Sequence, residues 1–394
     1  MHKKEEEMRQ VIEEALEIDG QSGYSVLDNY IKGKSIVLLG ESSHGMSEYF
    51  TDKIGLIRYL HEKHGFNVLA LENSFMETAL SEPFYKDKKI QERLQDCFLD
   101  IYHTKEMQPL FTEAWTESLT VAGIDPQPAY TPLSEMLRDW METSVDEETA
   151  EAFHHCEKLF FEIDDVIRQS GRASKQLKAR MGQVAERYEV MQKLVEKQKD
   201  QIEKENLPEM YTLLSRGIEN RIHWLRLSQK KALSSGVDRS FRMFENLKWL
   251  KETHKPGAKI IVWAHNFHVR KNQPVAAKLL GVKSLGHWVE EHYGKESLTV
   301  GYYAGSGTYA SQLREEKTVK IPGGRHMEAA LMKKGGEKLF LPVRKDETSS
   351  WQRTKWRFLE SGITGLGPET LKPESAYDAL MFIRHVQAPD YFEQ

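Results

Sequence analysis

The sequence predicts an α/β fold: a three-layer α/β/α core with a largely parallel or mixed sheet and an inserted long-helix hairpin or bundle. Seven short runs are nearly continuously apolar rather than alternating, which is typical of strands covered on both faces. Helical patterns separate the early runs, and strands that alternate with helices indicate a layered sheet. The apolar runs are 35–40, 67–72, 118–125, 259–266, 297–303, 338–343 and 379–385.

The middle of the chain has a different composition, which defines the predicted domain organisation. Residues 146–235 are rich in Glu, Lys, Gln and Arg, with apolar residues near helical spacing and many opposite charges three and four apart. We expect two or three long helices, broken at Gly171 and Pro208, that either pack on the rest of the chain or form a coiled-coil interaction arm. The α/β domain is therefore predicted in two halves, 1–145 and 236–394, around a helical insertion over 146–235.

Composition narrows the class of protein. The chain has 394 residues and a net charge of −5, which gives no electrostatic case for binding nucleic acid or a membrane surface. No apolar run reaches the roughly 18 residues of a membrane span, and the polar N-terminus lacks the apolar segment of a signal peptide. The two cysteines, Cys97 and Cys156, lie outside any CxxC motif or Cys/His cluster. We expect a cytoplasmic protein without a structural zinc site, and leave a homo-oligomer open.

Four of the predicted strands deliver an acid or a histidine where they end. In open α/β sheets, ligands bind in the crevice beyond the carboxyl ends of the strands. If these strands are parallel neighbours, their terminal side chains converge on one site. Any single acid here could instead be the N-cap of the following helix. The residues expected to converge are Glu41, His44, Glu72, Asp125, His265 and His268.

The first of these motifs, "GESSHG", suggests how a histidine base could be built. We expect Ser42 or Ser43 to cap a helix that begins near His44. His44 and Glu48 would then lie four residues apart on one helical face, where a carboxylate fixes the tautomer of the imidazole. Lys53 lies about one further turn along, and its ammonium could face an anion that forms during the reaction.

The catalytic motifs that the chain contains or lacks limit the reactions that it could catalyse. The nucleophile elbow G-x-S-x-G of serine hydrolases is absent, and so is a P-loop. A zinc, manganese or iron site could be built from the histidines and carboxylates, although they form no compact ligand motif. Hydrolysis by an activated water, without a covalent intermediate, fits best. One histidine would take a proton from water, and a second histidine or Lys53 would stabilise the oxyanion or protonate the leaving oxygen.

Two of the motifs together resemble the erythromycin esterase family. The stretch "LGESSHGMSEYF" is similar to the family's opening G-E-x-x-H-G-x-x-E-F, and the run "NVLALE" is similar to its second strand, which ends in Glu. The resemblance continues at "DRSFRMFENLKWL" (238–250) and "KIIVWAHNFHV" (259–269), and more weakly over 285–309. It implies a three-layer α/β/α fold with inserted helices. It also implies a metal-independent esterase, since the characterised members open macrolide lactones. Some bacterial members carry a succinoglycan-biosynthesis label, which the resemblance does not support as an activity.

The resemblance and the strand ends together give the expected site. The family's general base falls on His44, and Arg239 and Asn246 match its "R…EN" segment, whereas His287 has no firm counterpart. No metal ligand and no cofactor are expected. The residues expected to act in catalysis are His44, Glu41, Glu72, His265, His268 and Lys53. Those expected to bind substrate or support the site are Glu48, Asp125, Arg239, Asn246 and His287.

Three functions stay open on the sequence alone. The first is a carboxylic ester hydrolase acting on a small-molecule ester or lactone, with the macrolides as one substrate class among several. The second is a metal-dependent hydrolase built on the same residues. The third is a ligand-binding homologue that has lost catalysis. The intact set of acids and histidines argues against the third function. Buried polar groups cost stability when they are unsatisfied, so a homologue that has lost catalysis would be expected to lose them as well.

Overall fold

The computed structural model describes residues 2–19, 23–129, 133–170, 173–204, 209–230, 232–321, 325–343, 349–362 and 365–393. It divides into two compact units. The first comprises Met1–Glu72, His103–Thr120 and Leu247–Gln394, and the second comprises Asn73–Tyr102 and Val121–Asn246. The second unit takes residues from both sides of the predicted boundary at 145, and the three-part division stays a prediction. The expected helix breaks, Gly171 and Pro208, lie outside the described residues.

The predicted apolar runs form strands, and further strands occur mainly in the C-terminal part of the chain. Strands β2, β3, β4, β5, β6, β8 and β11 correspond to the seven predicted runs. The strands are β1 (Leu16–Glu17), β2 (Ile36–Leu39), β3 (Val68–Ser74), β4 (Thr120–Asp125), β5 (Ile260–Trp263), β6 (Ser297–Ala310), β7 (Glu316–Thr318), β8 (Lys338–Pro342), β9 (Trp356–Gly362), β10 (Gly365–Leu371) and β11 (Ala379–Val386).

The sheet of the first unit is mixed, with a parallel centre. Its strand order is β1-β8-β11-β6-β2-β5-β3. Strand β2 pairs in parallel with both β5 and β6, so that Leu39 lies opposite Trp263 on one side and Val300 on the other. Strand β8 runs antiparallel to β11 and to β1. The prediction of an α/β fold with a parallel or mixed sheet is confirmed.

The central strands are buried at every position. All four residues of β2 and all four of β5 are inaccessible to solvent, which explains their continuous rather than alternating apolarity. Strands β9 and β10 form a separate antiparallel hairpin, with Glu360 opposite Gly367 and Ser361 opposite Leu366. Because β2 and β5 pair in parallel, their carboxyl ends lie side by side, and the residues that follow them share one edge of the sheet.

Helices connect the strands and make up most of the second unit. In the described part of the chain, none of them combines the length and the hydropathy that crossing a membrane requires. The helices are α1 (His2–Glu14), α2 (Asp28–Ile31), α3 (Ser47–His64), α4 (Phe75–Tyr85), α5 (Ile90–Cys97), α6 (Pro109–Thr112), α7 (Leu133–Ser144), α8 (Glu147–Ser170), α9 (Lys175–Lys197), α10 (Lys199–Lys204), α11 (Met210–Ser228), α12 (Ala232–Trp249), α13 (Asn266–Val269), α14 (Val275–Leu279), α15 (Leu285–Tyr293), α16 (Met327–Leu331) and α17 (Pro373–Ala376).

The long helices of the second unit pack through apolar faces and one buried ionic cluster. Helix α8 contacts α7 and α9, and α11 contacts α9 and α4. At the centre, the guanidinium of Arg221 donates to Glu77 at 2.6 Å and to Glu157 at 3.0 and 3.1 Å. The hydroxyl of Tyr188 donates to the same Glu157 at 2.5 Å. The buried arginine is paired with two carboxylates, one of which also accepts from a hydroxyl, so the cluster helps to fix how these helices pack.

Candidate active site

Two chain turns, each following a buried strand, meet at the edge of the sheet in the first unit. One follows β2 and carries Glu41 and His44, and the other follows β5 and carries His265. Since β2 and β5 are parallel neighbours, both turns leave the sheet at its carboxyl edge. The backbone N–H of Asn266 donates to the carbonyl oxygen of Glu41 at 2.8 Å, which ties one turn directly to the other.

Glu41 is the centre of the first turn. Its side chain is almost fully buried and accepts hydrogen bonds from three sides. His44 Nδ1 lies 2.5 Å from Glu41 Oε1, while Trp263 Nε1 donates to Oε2 at 2.8 Å and the Lys53 ammonium donates to the same oxygen. Burial alone would raise the pKa of Glu41, but Lys53 and His44 outweigh it and hold that pKa at about 2. Glu41 is therefore a carboxylate at neutral pH.

The contact with Glu41 sets the tautomer and the basicity of His44. Because a carboxylate can only accept, His44 donates through Nδ1, and its Nε2 carries the lone pair when the ring is neutral. Burial opposes the charged ring, yet the hydrogen bond and the negative charge of Glu41 leave the pKa of His44 raised. The His44 side chain is 20% exposed, so Nε2 belongs to a ring that solvent and small molecules can reach.

Lys53 is buried beneath Glu41 and faces that carboxylate. Its ammonium lies 4.6 Å from the ring centre of Trp263 and 5.2 Å from that of Tyr302, and it pairs with Glu41. Burial lowers the pKa of Lys53 to about 8 against the opposing attraction of Glu41. The sequence predicts that Lys53 faces an anion that forms during the reaction, whereas the structure directs its charge to Glu41 and leaves none of the side chain exposed.

The hydrogen bond at Nδ1 of His265 has the opposite direction from the one at Nδ1 of His44. Its Nδ1 accepts a hydrogen bond from the backbone N–H of Phe267 at 3.1 Å, so the neutral ring carries its proton on Nε2. That Nε2 is buried and has no hydrogen-bond partner among the described residues. Burial, with the nearby ring of His44, lowers the pKa of His265 to about 3. The rings of His44 and His265 lie 5.2 Å apart, centre to centre.

Glu72 and His268 support the second turn. The backbone N–H of His265 donates to Glu72 Oε2 at 2.7 Å, and His268 Nε2 lies 3.2 Å from Glu72 Oε1. Both side chains are buried. Both His265 and His268 are predicted catalytic residues. In the structure His265 lies against His44, whereas His268 is directed at Glu72.

The prediction that a helix begins near His44 and brings Glu48 against it is wrong. Helix α3 begins at Ser47, with Met46 as its N-cap, so His44 lies in the preceding turn. The carboxylate of Glu48 accepts from the backbone N–H of Gln387 at 2.7 Å. The partner of His44 is Glu41, three residues before it, because the chain in this turn is not yet helical.

Four further predicted residues lie in other surroundings. His287 lines a cavity of about 240 Å³ together with Lys278 and Lys283, and none of its described contacts is to either turn. The other three belong to the second unit. There Arg239 Nε donates to Asp125 Oδ1 at 3.0 Å, and Asn246 Nδ2 donates to the carbonyl oxygen of Ile124 at 2.9 Å. Their supporting roles stay predictions.

Two residues of this site escaped the sequence analysis. Trp263 ends β5 and donates to Glu41, and Asn266 joins the two turns through its backbone. Both occur in the "WAHNFH" stretch, where Trp263 precedes His265 and Asn266 follows it, so their proximity to the two histidines was the available signal. Within the described ranges, no group of three or more His, Cys, Asp or Glu side chains is placed to hold a metal ion.

The sequence profile of the erythromycin esterase family matches residues 61–386. The chain belongs to this family. The matched range begins after His44, so the match rests on residues other than the first motif. Membership supports a hydrolase acting on a small molecule, and the predicted resemblance is confirmed.

Two relatives of known name cover most of the chain. YbfO of Bacillus subtilis (strain 168), provisionally named a hydrolase, is 25% identical over 91% of this chain and 85% of its own. The erythromycin esterase type II of Escherichia coli is 22% identical over 76% of each chain.

Solved structures share the fold. A Bacillus cereus protein superposes with a TM-score of 0.78 at 18% identity, covering 99% of both chains. A protein named for succinoglycan biosynthesis has a TM-score of 0.76 at 17% identity over 99% of both chains. A histidine-to-asparagine variant of the erythromycin esterase EreC, in its open conformation, has a TM-score of 0.67 at 18% identity, covering 93% of this chain and 94% of its own.

Proposed function

We propose that the protein is a metal-independent carboxylic ester hydrolase that cleaves an ester or lactone with a water molecule activated by His44. The observation that carries this proposal is a pair of imidazole rings, 5.2 Å apart, with opposite hydrogen-bonding roles. Neutral His44 offers an acceptor nitrogen, whereas His265 offers an N–H donor. Ester hydrolysis needs both, a base for the water and a donor for the oxyanion.

In the first step, His44 Nε2 takes a proton from water as the water oxygen attacks the carbonyl carbon. The new C–O bond forms while the carbonyl electron pair moves onto oxygen, which gives a tetrahedral oxyanion. Glu41 stabilises the imidazolium that results, because its carboxylate stays ionised at 2.5 Å from Nδ1. The electron pair of the oxyanion then re-forms the carbonyl as the bond to the leaving oxygen breaks, and His44 returns the proton to that oxygen. The products are a carboxylic acid and an alcohol.

His265 is the donor that we assign to the oxyanion. Its proton lies on Nε2, which is buried and has no competing acceptor among the described residues. A donor in a site of low dielectric stabilises developing charge far more than one in water does, and it needs no reorganisation during the reaction. Glu72 accepts the backbone N–H of His265, so it holds the ring in position rather than touching the substrate.

Lys53 has a supporting role in this mechanism. Without its ammonium, the buried Glu41 would be driven toward the neutral acid, because burial raises a carboxyl pKa. A protonated Glu41 could no longer stabilise an imidazolium. Lys53 therefore acts through Glu41 and His44.

The substrate that we propose is a small-molecule ester or lactone, with no cofactor. Macrolides belong in the test set because a relative from Escherichia coli is named an erythromycin esterase. The test is hydrolysis of aryl esters, simple lactones and macrolides by wild type and by His44→Ala, in EDTA. The matched control is His292→Ala, since His292 is an exposed histidine on α15 whose Nδ1 lies 2.9 Å from the carbonyl oxygen of Trp288.

We expect wild type and the His292 variant to turn over at least one compound in EDTA, and His44→Ala to lose about 10²- to 10⁴-fold in kcat while staying folded. Undiminished turnover in His44→Ala would contradict the role of His44. Activity that disappears in EDTA and returns with added zinc or manganese would instead indicate the metal-dependent hydrolase.

A further inference from the structure

Strand β9 of the small hairpin contacts both turns of the candidate active site. The backbone N–H and the hydroxyl of Ser361 donate to the carbonyl oxygen of Ser42, at 2.8 and 2.7 Å. The neighbouring Glu360 accepts from the side-chain amide of Asn266 at 3.2 Å. Two consecutive residues of β9 therefore hold the turn that carries His44 and the turn that carries His265.

Asn266 is the residue through which β9 reaches the second turn. Its side-chain amide lies beside β6, where Nδ2 donates to the carbonyl oxygen of Tyr302 at 3.0 Å and Oδ1 accepts from the Tyr302 N–H at 3.3 Å. The amide thus continues the hydrogen-bond ladder at the point where β2 turns away from β6. Gly40 leaves the room for it, since a Cβ at Gly40 would lie 2.0 Å from Asn266 Oδ1. The remaining N–H of Asn266 points to Glu360.

Glu360 is a buried acid with more than one donor directed at it. It is 3% exposed. Its Oε1 accepts the Tyr303 hydroxyl at 2.5 Å and the Asn266 amide at 3.2 Å, while Oε2 lies 3.5 Å from the same amide. Both of the shorter bonds end on one oxygen. A glutamine side chain could therefore keep both with its carbonyl group, although it carries no charge.

The charged neighbours of Glu360 do not hold its pKa in the ordinary range of a carboxyl group. The nearby Arg270 donates at 2.5 Å to Glu369 on β10, and at 2.9 Å to Gln273. Burial is the largest influence and, with the charge of Glu369, it outweighs Arg270 and raises the pKa of Glu360 to about 8. The titratable or charged groups that face Glu360, or whose own titration responds to it, are Tyr49 on α3, Arg270, Tyr303 on β6, Glu369 on β10 and Tyr377.

We propose that Glu360 is a positioning residue that holds Asn266 and thereby the ring of His265 in the orientation needed for catalysis. The inference rests on the proposed esterase function only where activity is the readout. Glu360 acts through Asn266, whose backbone N–H bonds to Glu41 and whose preceding residue is His265.

The test compares Glu360→Gln and Glu360→Ala with Glu328→Gln. Glu328 is the matched control, because it is equally buried and burial raises its pKa to about 7, while its described hydrogen bond is from the backbone N–H of Leu359. Kinetics are measured at pH 7 on an ester that wild type cleaves.

At pH 7 we expect Glu360→Ala to lose about 10- to 100-fold in kcat with little change in KM, because a small displacement of an oxyanion donor slows the chemical step. Glu360→Gln and Glu328→Gln should keep kcat within about twofold of wild type. Wild-type kcat in Glu360→Ala, or equal losses in Glu360→Gln and Glu360→Ala, would overturn the proposal.

One spectroscopic readout does not depend on turnover. The imidazole ¹⁵N signals of His265 should shift in Glu360→Ala and stay in place in Glu328→Gln. If Glu360→Ala does not fold, Tyr303→Phe removes one of the bonds to Oε1 and should shift the same signals. Unmoved His265 signals would overturn the proposal even if no ester is ever cleaved.

Discussion

The two histidines at the edge of the sheet make an instructive comparison. His44 and His265 follow neighbouring parallel strands, and their rings lie 5.2 Å apart. The pKa of His44 is raised, whereas the pKa of His265 is lowered to about 3. The difference lies in what contacts Nδ1. A carboxylate accepts from Nδ1 in His44, and a backbone N–H donates to Nδ1 in His265.

This difference shows that the fold alone does not assign a role to a strand-end histidine. Both rings stand at the same edge, and either could be drawn as the base from sequence position. A single hydrogen bond at Nδ1 decides whether Nε2 is an acceptor or a donor. The following predictions test that division of roles.

The largest expected effect is on stability, from replacing Lys53. Lys53→Met leaves the carboxylate of Glu41 buried without its ammonium partner. Removing one partner of a buried ion pair costs about 3–5 kcal/mol of unfolding free energy. Urea unfolding monitored by circular dichroism measures this loss. The double variant Lys53→Met/Glu41→Gln should recover part of it, and a recovery of nothing would argue that Lys53 matters through packing alone.

His265→Ala removes the donor while leaving the base in place. We expect kcat to fall by about 10²- to 10³-fold with KM nearly unchanged, because the lost bond forms only with the oxyanion. Steady-state kinetics on the best ester from the panel measure it. A rise in KM with unchanged kcat would show that His265 binds the ground state instead.

Glu41→Gln changes the basicity of His44 without removing its hydrogen-bond partner. Since Glu41 raises the pKa of His44, the neutral amide should move the acidic limb of the kcat/KM profile to lower pH. The maximal rate should fall by about 10- to 100-fold, because the imidazolium loses its counter-charge. A pH profile that keeps its acidic limb in place would contradict the assignment of that limb to His44.

The smallest expected effect is the pH dependence of stability from His265. In the unfolded chain a histidine titrates near 6.5, but in the folded protein the pKa of His265 is about 3. Between these values the unfolded state binds one more proton, so stability falls as pH decreases, by up to about 1.4 kcal/mol per pH unit.

Replacing His265 with Asn should flatten the stability of the protein between pH 6.5 and 4.5, measured by urea unfolding at each pH. His44 contributes with the opposite sign: its folded pKa is raised, so its stabilisation is complete below pH 6.5 and is lost as pH rises through the folded value. A variant at His265 with an unchanged slope would contradict a buried, neutral ring.

Much of this site could be predicted from the sequence because its residues follow buried strands directly. Glu41, Glu72 and His265 follow or end apolar runs, and parallel strands bring their carboxyl ends together. The partner of His44 was misassigned because helical spacing was applied to a turn. Glu360 lies on a short hairpin strand far along the chain, and local patterns carry no information about a contact across 94 residues.

The most direct test of the account is the ¹⁵N spectrum of histidine-labelled protein at pH 5, with His44 and His265 assigned through His44→Ala and His265→Ala. The account predicts a cationic ring at His44, and at His265 a neutral ring whose proton lies on Nε2. A protonated His265 at pH 5, or a neutral ring with its proton on Nδ1, would contradict the division of roles between the two histidines.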